Sequence, residues 1–361
     1  MKVPLSSVNM TDLEMRYVNE AAGSGWISGS GPFVDRFEAA IAQRTNRKYV
    51  VGVNSGTSAL VVALLALGVG PGDEVIVPAL TFVAPAAAVR SVGALPVFCD
   101  IERDSWTIAP ASAAALITDR TRAIVAVDVC GMPCDFASLH ALGVPILEDA
   151  AEAHGASLLG RPAGSFGVAS VLSFHANKAI TTGEGGCVAT DDLELATKVR
   201  LIAGHGMTAV RPYWHTAVGR NVRMTNIVAA FGTAQAERWD DLIDGRRAVA
   251  SKYERLLRDL PVVIPSSRLQ KIVPSCWLYA ATLHFSAQLI PRLRADGVDA
   301  RQIWPALVNL PLYRAGVRIP TPMAEQASAY GFWLPTWSGM PSEAVELVAE
   351  RVMAHAGVLM S

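Results

Sequence analysis

The stretch KYVVGVNSGTSALVVALLALG, residues 48–68, holds the pattern on which the fold turns. Its first part, KYVVGVN (48–54), is a short β-branched run that reads as a strand. TSALVVALLALG (57–68) reads as a helix, and the chain then turns through Pro71-Gly72-Asp73. The same alternation continues outward. EVIVP (74–78), LPVFCD (95–100), RAIVAVDV (122–129) and VPILED (144–149) read as strands, with helical segments such as PASAAALIT (110–118) between them. Continuous apolar strands alternating with helices imply a largely parallel sheet covered on both faces. SVLSF (170–174) and GCVATD (186–191) add two further strands around a loop, FHANKAITTGEGG, that carries Lys178.

A long helical pattern begins near Met224 and runs, with a break, to about Leu260. After Pro261 the texture changes: WLYAATLHF (277–285) reads as a strand, and helices follow near 287–296 and 342–355. The expected organisation is a large α/β domain over 1–245 and a smaller α+β domain over 246–361. The 361 residues are ample for a core on that plan.

Composition narrows the function classes. The chain is 51% hydrophobic and 17% charged, with mean hydropathy +0.31 and a formal net charge of −1. No basic field invites nucleic acid or an anionic membrane. The amino terminus has acids where a signal peptide needs an apolar run, and the most apolar stretch, 59–70, is too short to span a bilayer. A soluble, cytoplasmic protein is expected. The five cysteines show no metal-like repeat; Cys130 and Cys134 lack a second pair or nearby histidines, so reduced thiols and no metal site are expected.

In open α/β sheets, ligands bind beyond the carboxyl ends of the strands. Three groups stand at such ends. NSGTSAL (54–60) opens a helix, either as an ordinary N-cap or as a phosphate cradle built from backbone N–H groups and the Thr57 and Ser58 hydroxyls. It is no Walker motif, because the Gly-Lys-Ser/Thr ending is missing. Asp149 closes VPILED as a helix cap or a functional anion. Lys178 is a solvated loop lysine or a nucleophile. Together, a phosphate cradle, a strand-end aspartate and a lysine are the groups that pyridoxal phosphate needs: the lysine forms its Schiff base and the aspartate pairs with the pyridinium nitrogen. Phe82, in PALTFVAP, either packs in the core or stacks on such a ring.

The chain resembles the sugar aminotransferases of the DegT/DnrJ/EryC1/StrS family. The resemblance lies in SGWISGSGPFVDRFE, NSGTSAL, PALTFVA, EDAAEAHGA, SFHANKAITTGEGG, HGM, YWHTAVGRNVRMTNI and SCWLYAATL, spread over nearly the whole chain. Within the family, NKAITTGEGG and YWHTAVG are most similar to members that aminate the C4 ketone of a GDP-linked 6-deoxyhexose. The resemblance implies the fold type I architecture of pyridoxal-phosphate-dependent transferases, like that of aspartate aminotransferase. It implies a homodimer with active sites at the interface, and transfer of an amino group from L-glutamate to a nucleotide-linked 4-keto-6-deoxy sugar.

It also implies roles. Lys178 would carry the cofactor, and would serve as nucleophile and general acid/base in a ping-pong transamination. Asp149 would pair with the pyridine nitrogen. Gly56, Thr57, Ser58 and Ser173 would hold the phosphate, and Phe82 would stack on the ring. Glu152 would lie near the cofactor hydroxyl or the substrate. Asn221 would reach the phosphate of the neighbouring subunit. Trp26, Ser28, Thr81, Arg220 and Arg301 would contact the sugar substrate. Departures concentrate on the acceptor side: Gly219-Arg220-Asn221-Val222-Arg223 lacks two tyrosines usual in relatives. Asp128 replaces a histidine, and Pro305-Ala306-Leu307 lacks another. Two other readings compete: the same chemistry on a keto-cyclitol or another small ketone, and a non-catalytic cofactor-binding regulator. Relatives that dehydrate or deoxygenate the sugar carry histidine in place of the lysine, and this chain keeps Lys178.

Overall fold

Alternate residues along the central strands face two different cores. Val75 and Val77 enter one hydrophobic cluster and Ile76 another; Val125 and Val127 divide from Ile124 and Ala126 in the same way. Period-two burial on both sides is what a sheet sandwiched between helices requires. The computed structural model describes residues 2–208, 210–266, 269 and 271–360.

The strands in chain order are β1 (Tyr49–Val53), β2 (Glu74–Pro78), β3 (Leu95–Cys99), β4 (Thr121–Val127), β5 (Ile146–Asp149), β6 (Ser157–Leu158), β7 (Arg161–Pro162), β8 (Ala169–Ser173), β9 (Gly186–Thr190), β10 (Ile272–Val273), β11 (Tyr279–Thr282), β12 (Arg301–Gln302) and β13 (Gly331–Leu334). Seven form the main sheet in the order β1-β9-β8-β5-β4-β2-β3. All run parallel except β9, which is antiparallel to both β1 and β8. The mostly parallel sheet with helices on both faces is the expected fold type I architecture. Helices Gly56–Ala66, Ala84–Ser91 and Leu193–Ala203 cover one face; Pro32–Thr45 and Asn226–Glu237 lie on the other.

Two local expectations are shortened. PASAAALIT is helical only over Pro110–Ala114; Thr118 leaves the helix, its N–H donating to Thr121 Oγ1 and its hydroxyl to Glu74 Oε2 (both 2.9 Å). The strand in WLYAATLHF is confined to Tyr279–Thr282, the part that pairs with β13. The break expected in the long helical pattern falls at Arg238, between Asn226–Glu237 and Trp239–Leu256.

A second sheet, β11-β13-β12, packs Tyr279, Ala281, Phe332 and Leu334 against helices Ser286–Ala295 and Ser342–Met360. Its other face turns Ala280 and Trp333 into the same core as Val77 and Val127 of the main sheet. Helix Trp239–Leu256 bridges the two: Trp239, Leu242 and Ile243 pack with the main sheet, and Val249, Ala250 and Tyr253 with the second. The expected boundary at 245/246 lies inside this continuous helix, where its packing partners change. Val3 joins the second core as well. Cys99, Cys130, Cys134 and Cys187 are buried free thiols and Cys276 is half-buried. Among the described residues no helix is long and apolar enough to cross a membrane.

Candidate active site

The carboxyl ends of β1, β5 and β8 and the start of β9 meet at one edge of the sheet. Gly186 pairs with Val53 on one side and Ser173 on the other. Helix Gly56–Ala66 begins directly above this point, capped by Ser55, whose Oγ accepts from Ser58 N (3.1 Å) and donates to Ser58 Oγ (3.0 Å). As first residues of the helix, Gly56 and Thr57 have no i−4 acceptor within it, so their N–H groups are open to an anion. The approach is close. A Cβ on Gly56 would stand 2.7 Å from Ser173 Cβ, and one on Gly186 would stand 2.5 Å from Gly56 N. The glycines therefore let helix and strand ends close into one cradle, with Thr57 exposed, Ser58 half-buried and Ser173 at its rim.

Asp149, at the tip of β5, is buried and accepts one hydrogen bond, from Ala151 N to Oδ1 (3.1 Å). Burial, the Glu152 charge and the Glu148 charge push its pKa up to about 7, against the pull of Lys178. It forms no ion pair among the described residues. Such an aspartate has room for a cationic N–H donor. Its neighbour Glu148 points to the other face and is satisfied there by Gly164 N, Phe166 N, Gly167 N and Ser170 Oγ.

Lys178 sits on the turn between β8 and β9, its N–H bonded to His175 O (2.9 Å). Its Nζ lies 3.4 Å from Glu152 Oε1 and 4.0 Å from the centroid of the Trp277 ring. Glu152 Oε2 accepts from Cys130 N (2.9 Å), and burial raises the Glu152 pKa despite Lys178. Cys130 takes φ +56° in the turn after β4, which brings its N–H to the carboxylate. Asp128, at the same turn, is fully buried; Cys134 N donates to its Oδ1 (3.0 Å), its Oδ2 has no partner among the described residues, and burial with the Glu148 charge raises its pKa.

Phe82 is half-exposed beyond β2, with its ring 6.1 Å from Trp304; Trp304 in turn stacks on Trp277 at 6.3 Å and 17°. A row of rings thus runs from Phe82 to the lysine amine. Thr81 is buried next to Phe82. Lys178, Asp149, Glu152, Ser173, Gly56, Thr57, Ser58, Phe82 and Thr81 therefore occupy the carboxyl edge of one sheet.

Other expected residues lie apart from Lys178. Trp26 and Ser28 are exposed on a loop tied down by Asn226, which donates through Nδ2 to Trp26 O and through its N–H to Ser28 O (both 2.7 Å). Arg220 and Asn221 are exposed too, and the Asn221 side chain makes no hydrogen bond among the described residues. Their segment continues beside the end of β1, where Asn54 N donates to Val222 O (2.8 Å). Arg301 is exposed on β12 and engages Asp299 at 3.1 and 2.8 Å. Sequence reasoning missed Trp277, although it stands in the quoted SCWLYAATL, and Trp304, which directly precedes Pro305; it also missed the structural role of Asn226. Among the described residues no cluster of His, Cys, Asp or Glu could hold a metal.

The sequence profile of the DegT/DnrJ/EryC1/StrS aminotransferase family matches residues 8–353. The chain belongs to this family. It is 37% identical over 357 residues to a GDP-perosamine synthase of Caulobacter vibrioides, covering 96% of each chain. It is 35% identical to the GDP-perosamine synthase of Escherichia coli O157:H7, covering 97% of each. Among solved structures, Spr1654 from Streptococcus pneumoniae in its PLP form superposes with a TM-score of 0.94 at 26% identity, covering all of both chains. Membership makes this chain a transaminase and a sugar aminotransferase, and the resemblance read from the motifs holds over the whole match.

Proposed function

We propose that this chain binds pyridoxal 5′-phosphate at the β1–β5–β8 edge and transfers an amino group from L-glutamate to the ketone of a nucleotide-linked 4-keto-6-deoxy sugar. The observation that carries the reading is the lysine amine, 3.4 Å from Glu152, whose charge also reaches the buried Asp149, which forms no ion pair among the described residues. The donor set fits the cofactor: a helix N-terminus closed by Gly56 and Gly186 suits a phosphate, and Asp149 suits a pyridinium N–H. When bound, the cofactor supplies the electron sink that stabilises negative charge on the donor's α-carbon. Lys178 would hold it covalently and, once the amino donor has displaced its amine, the freed Nζ would accept the α-proton and return it during transfer. Asp149 would pair with the ring nitrogen and keep it protonated. Glu152 orients the Lys178 amine and is itself fixed by Cys130 N.

The perosamine synthase relatives, matched over 96–97% of this chain, support this acceptor. The departures at Arg220, Asp128 and 305–307 fall on the acceptor side and bear on which sugar is taken. We further propose a homodimer in which Asn221 serves the partner's phosphate site. Val210, Tyr213 and Val218 are 97%, 88% and 95% exposed on the loop leading to Asn221, an apolar surface that a second copy would cover. The chain would divide into a large domain over 1–245 and a smaller one over 246–361, with Val3 packed in the second.

The test is direct. Purified protein reconstituted with pyridoxal phosphate should absorb near the visible edge and bleach with L-glutamate. Mass spectrometry with GDP-, dTDP- and UDP-linked 4-keto-6-deoxy sugars, and keto-cyclitols beside them, should show one aminated product. Bleaching by glutamate with amination of a cyclitol alone would overturn the acceptor; no bleaching would overturn the chemistry. Sedimentation showing an active monomer would overturn the shared site.

A further inference from the structure

Arg246 is almost fully buried, 2% exposed, on helix Trp239–Leu256, and it forms no ion pair among the described residues. Its guanidinium instead donates to four backbone carbonyls. Nη1 bonds Trp277 O and Thr336 O, the second at 3.1 Å; Nη2 bonds Asn177 O at 3.2 Å and Lys178 O at 3.0 Å. Nε has no partner. Next to it, Arg247 behaves as arginines usually do, partly exposed and paired with Asp244 at 3.3 Å. A buried cation without an anion is expensive, and a packed apolar residue would cost less. The retained guanidinium offers something an apolar residue cannot: a rigid planar fork that sets several carbonyls at once.

Those carbonyls frame the lysine. Asn177 O also accepts from Trp277 Nε1 (2.9 Å), and the Trp277 ring is the surface on which the Lys178 amine rests. Arg246 therefore grips the backbone from which the lysine side chain departs and the residue that supports its far end. Through Thr336 and Trp277 it also joins the lysine turn to the segments that flank the second sheet. We propose that Arg246 is a positioning residue for Lys178, aiming its amine through the Asn177, Lys178 and Trp277 carbonyls. The proposal rests on the reading of Lys178 as the cofactor-bearing lysine.

Arg246→Gln, Arg246→Lys and Trp277→Phe test it in the full chain. In cofactor-free Arg246→Gln, amides of residues 174–182 should exchange about tenfold faster while those of β4 and β5 stay protected. With pyridoxal phosphate bound, the pH titration of the near-visible absorbance should move by about one unit. The glutamate half-reaction should slow about 100-fold with KM within about threefold, because misaim costs rate rather than binding. Arg246→Lys, which keeps the charge and loses the fork, should fall between. Trp277→Phe, which keeps a ring and removes the second donor to Asn177 O, should shift the titration the same way by less.

A titration and rate like the wild type, with only a lowered melting temperature, would make Arg246 a core-filling residue and overturn the proposal. Should Arg246→Gln fail to fold, unchanged titrations in both Arg246→Lys and Trp277→Phe would overturn it equally. A wild-type chain that takes up no cofactor would instead remove the Lys178 reading, and the exchange measurement would still decide the clamp.

Discussion

Strand β2 begins on Glu74 and β5 ends on Asp149, so two buried carboxylates stand at opposite ends of one sheet. Glu74 is answered from every side: Arg318 at 2.8 and 2.6 Å, Arg120 at 2.6 Å and Thr118 at 2.9 Å. The Arg318 hydrogen bond, above all, lowers its pKa to about 2. Asp149 has one backbone donor, and burial lifts its pKa to about 7. The same side-chain chemistry stabilises the fold at one end and strains it at the other. The difference is what distinguishes a structural carboxylate from one kept open for a ligand.

Four substitutions can break or sharpen that contrast. Lys178→Ala should lower glutamate-dependent turnover by at least about 10⁴-fold, because nucleophile and proton carrier are lost together. Residual turnover within tenfold of wild type, measured with a coupled 2-oxoglutarate assay, would break the site reading. Asp149→Asn should cost on the order of 10² to 10³ in the same assay.

Stability should move the other way for Asp149→Asn. The folded pKa lies above the ordinary value of 3.8, so the native state binds the extra proton and loses stability as pH rises from about 4 through 7. Cofactor-free Asp149→Asn should therefore gain stability over wild type at about pH 8, on the order of a few kcal/mol, and lose that advantage near pH 4. Denaturant midpoints at the two pH values check it. An Asn variant less stable at pH 8 would contradict the assignment of strain to Asp149.

Gly186→Ala should weaken pyridoxal phosphate binding about tenfold, by forcing helix and strand apart at the phosphate cradle. Equilibrium dialysis of the cofactor measures this, and unchanged affinity would mean that the cradle is not where phosphate sits. Glu74→Gln should leave turnover within about twofold and lower stability by about 2 kcal/mol at neutral pH. Its folded pKa lies below the ordinary 4.5, so the stabilisation is present above about 4.5 and fades as pH falls through 2. The gap between wild type and Glu74→Gln should close over that window, opposite in sense to the Asp149 pair.

The main sheet was legible because both its faces are buried, which turns each strand into a continuous apolar run such as EVIVP or LPVFC. The second sheet was legible only at β11. Its β12 pairs through two residues and β13 is a four-residue run after a helix, both too short to show a period. Lys178, Asp149 and the Gly56 turn were readable because they follow recognisable strands. Arg246 was not. It sits in DGRRAVASKYERL beside Arg247, and a helix with charges on one face looks the same whether one arginine is solvated or buried. Only tertiary packing, with Trp277 and Thr336 brought over it, separates the two. Trp304 was hidden for a related reason, since its partners Phe82, Trp277 and Trp333 are scattered along the chain.

The reversed strand β9 has one more consequence. Ser173 and Gly186 are paired, and Phe174 N bonds Gly185 O at 2.8 Å, so both ends of the lysine turn are fastened to each other. The contour length of 174–185 then acts as a ruler between the sheet edge and the amine. Adding or removing residues there would shift Asn177 and Lys178 off the Arg246 fork and change how far the amine reaches. The length of 174–185 is thus as much a part of the site as the lysine it carries.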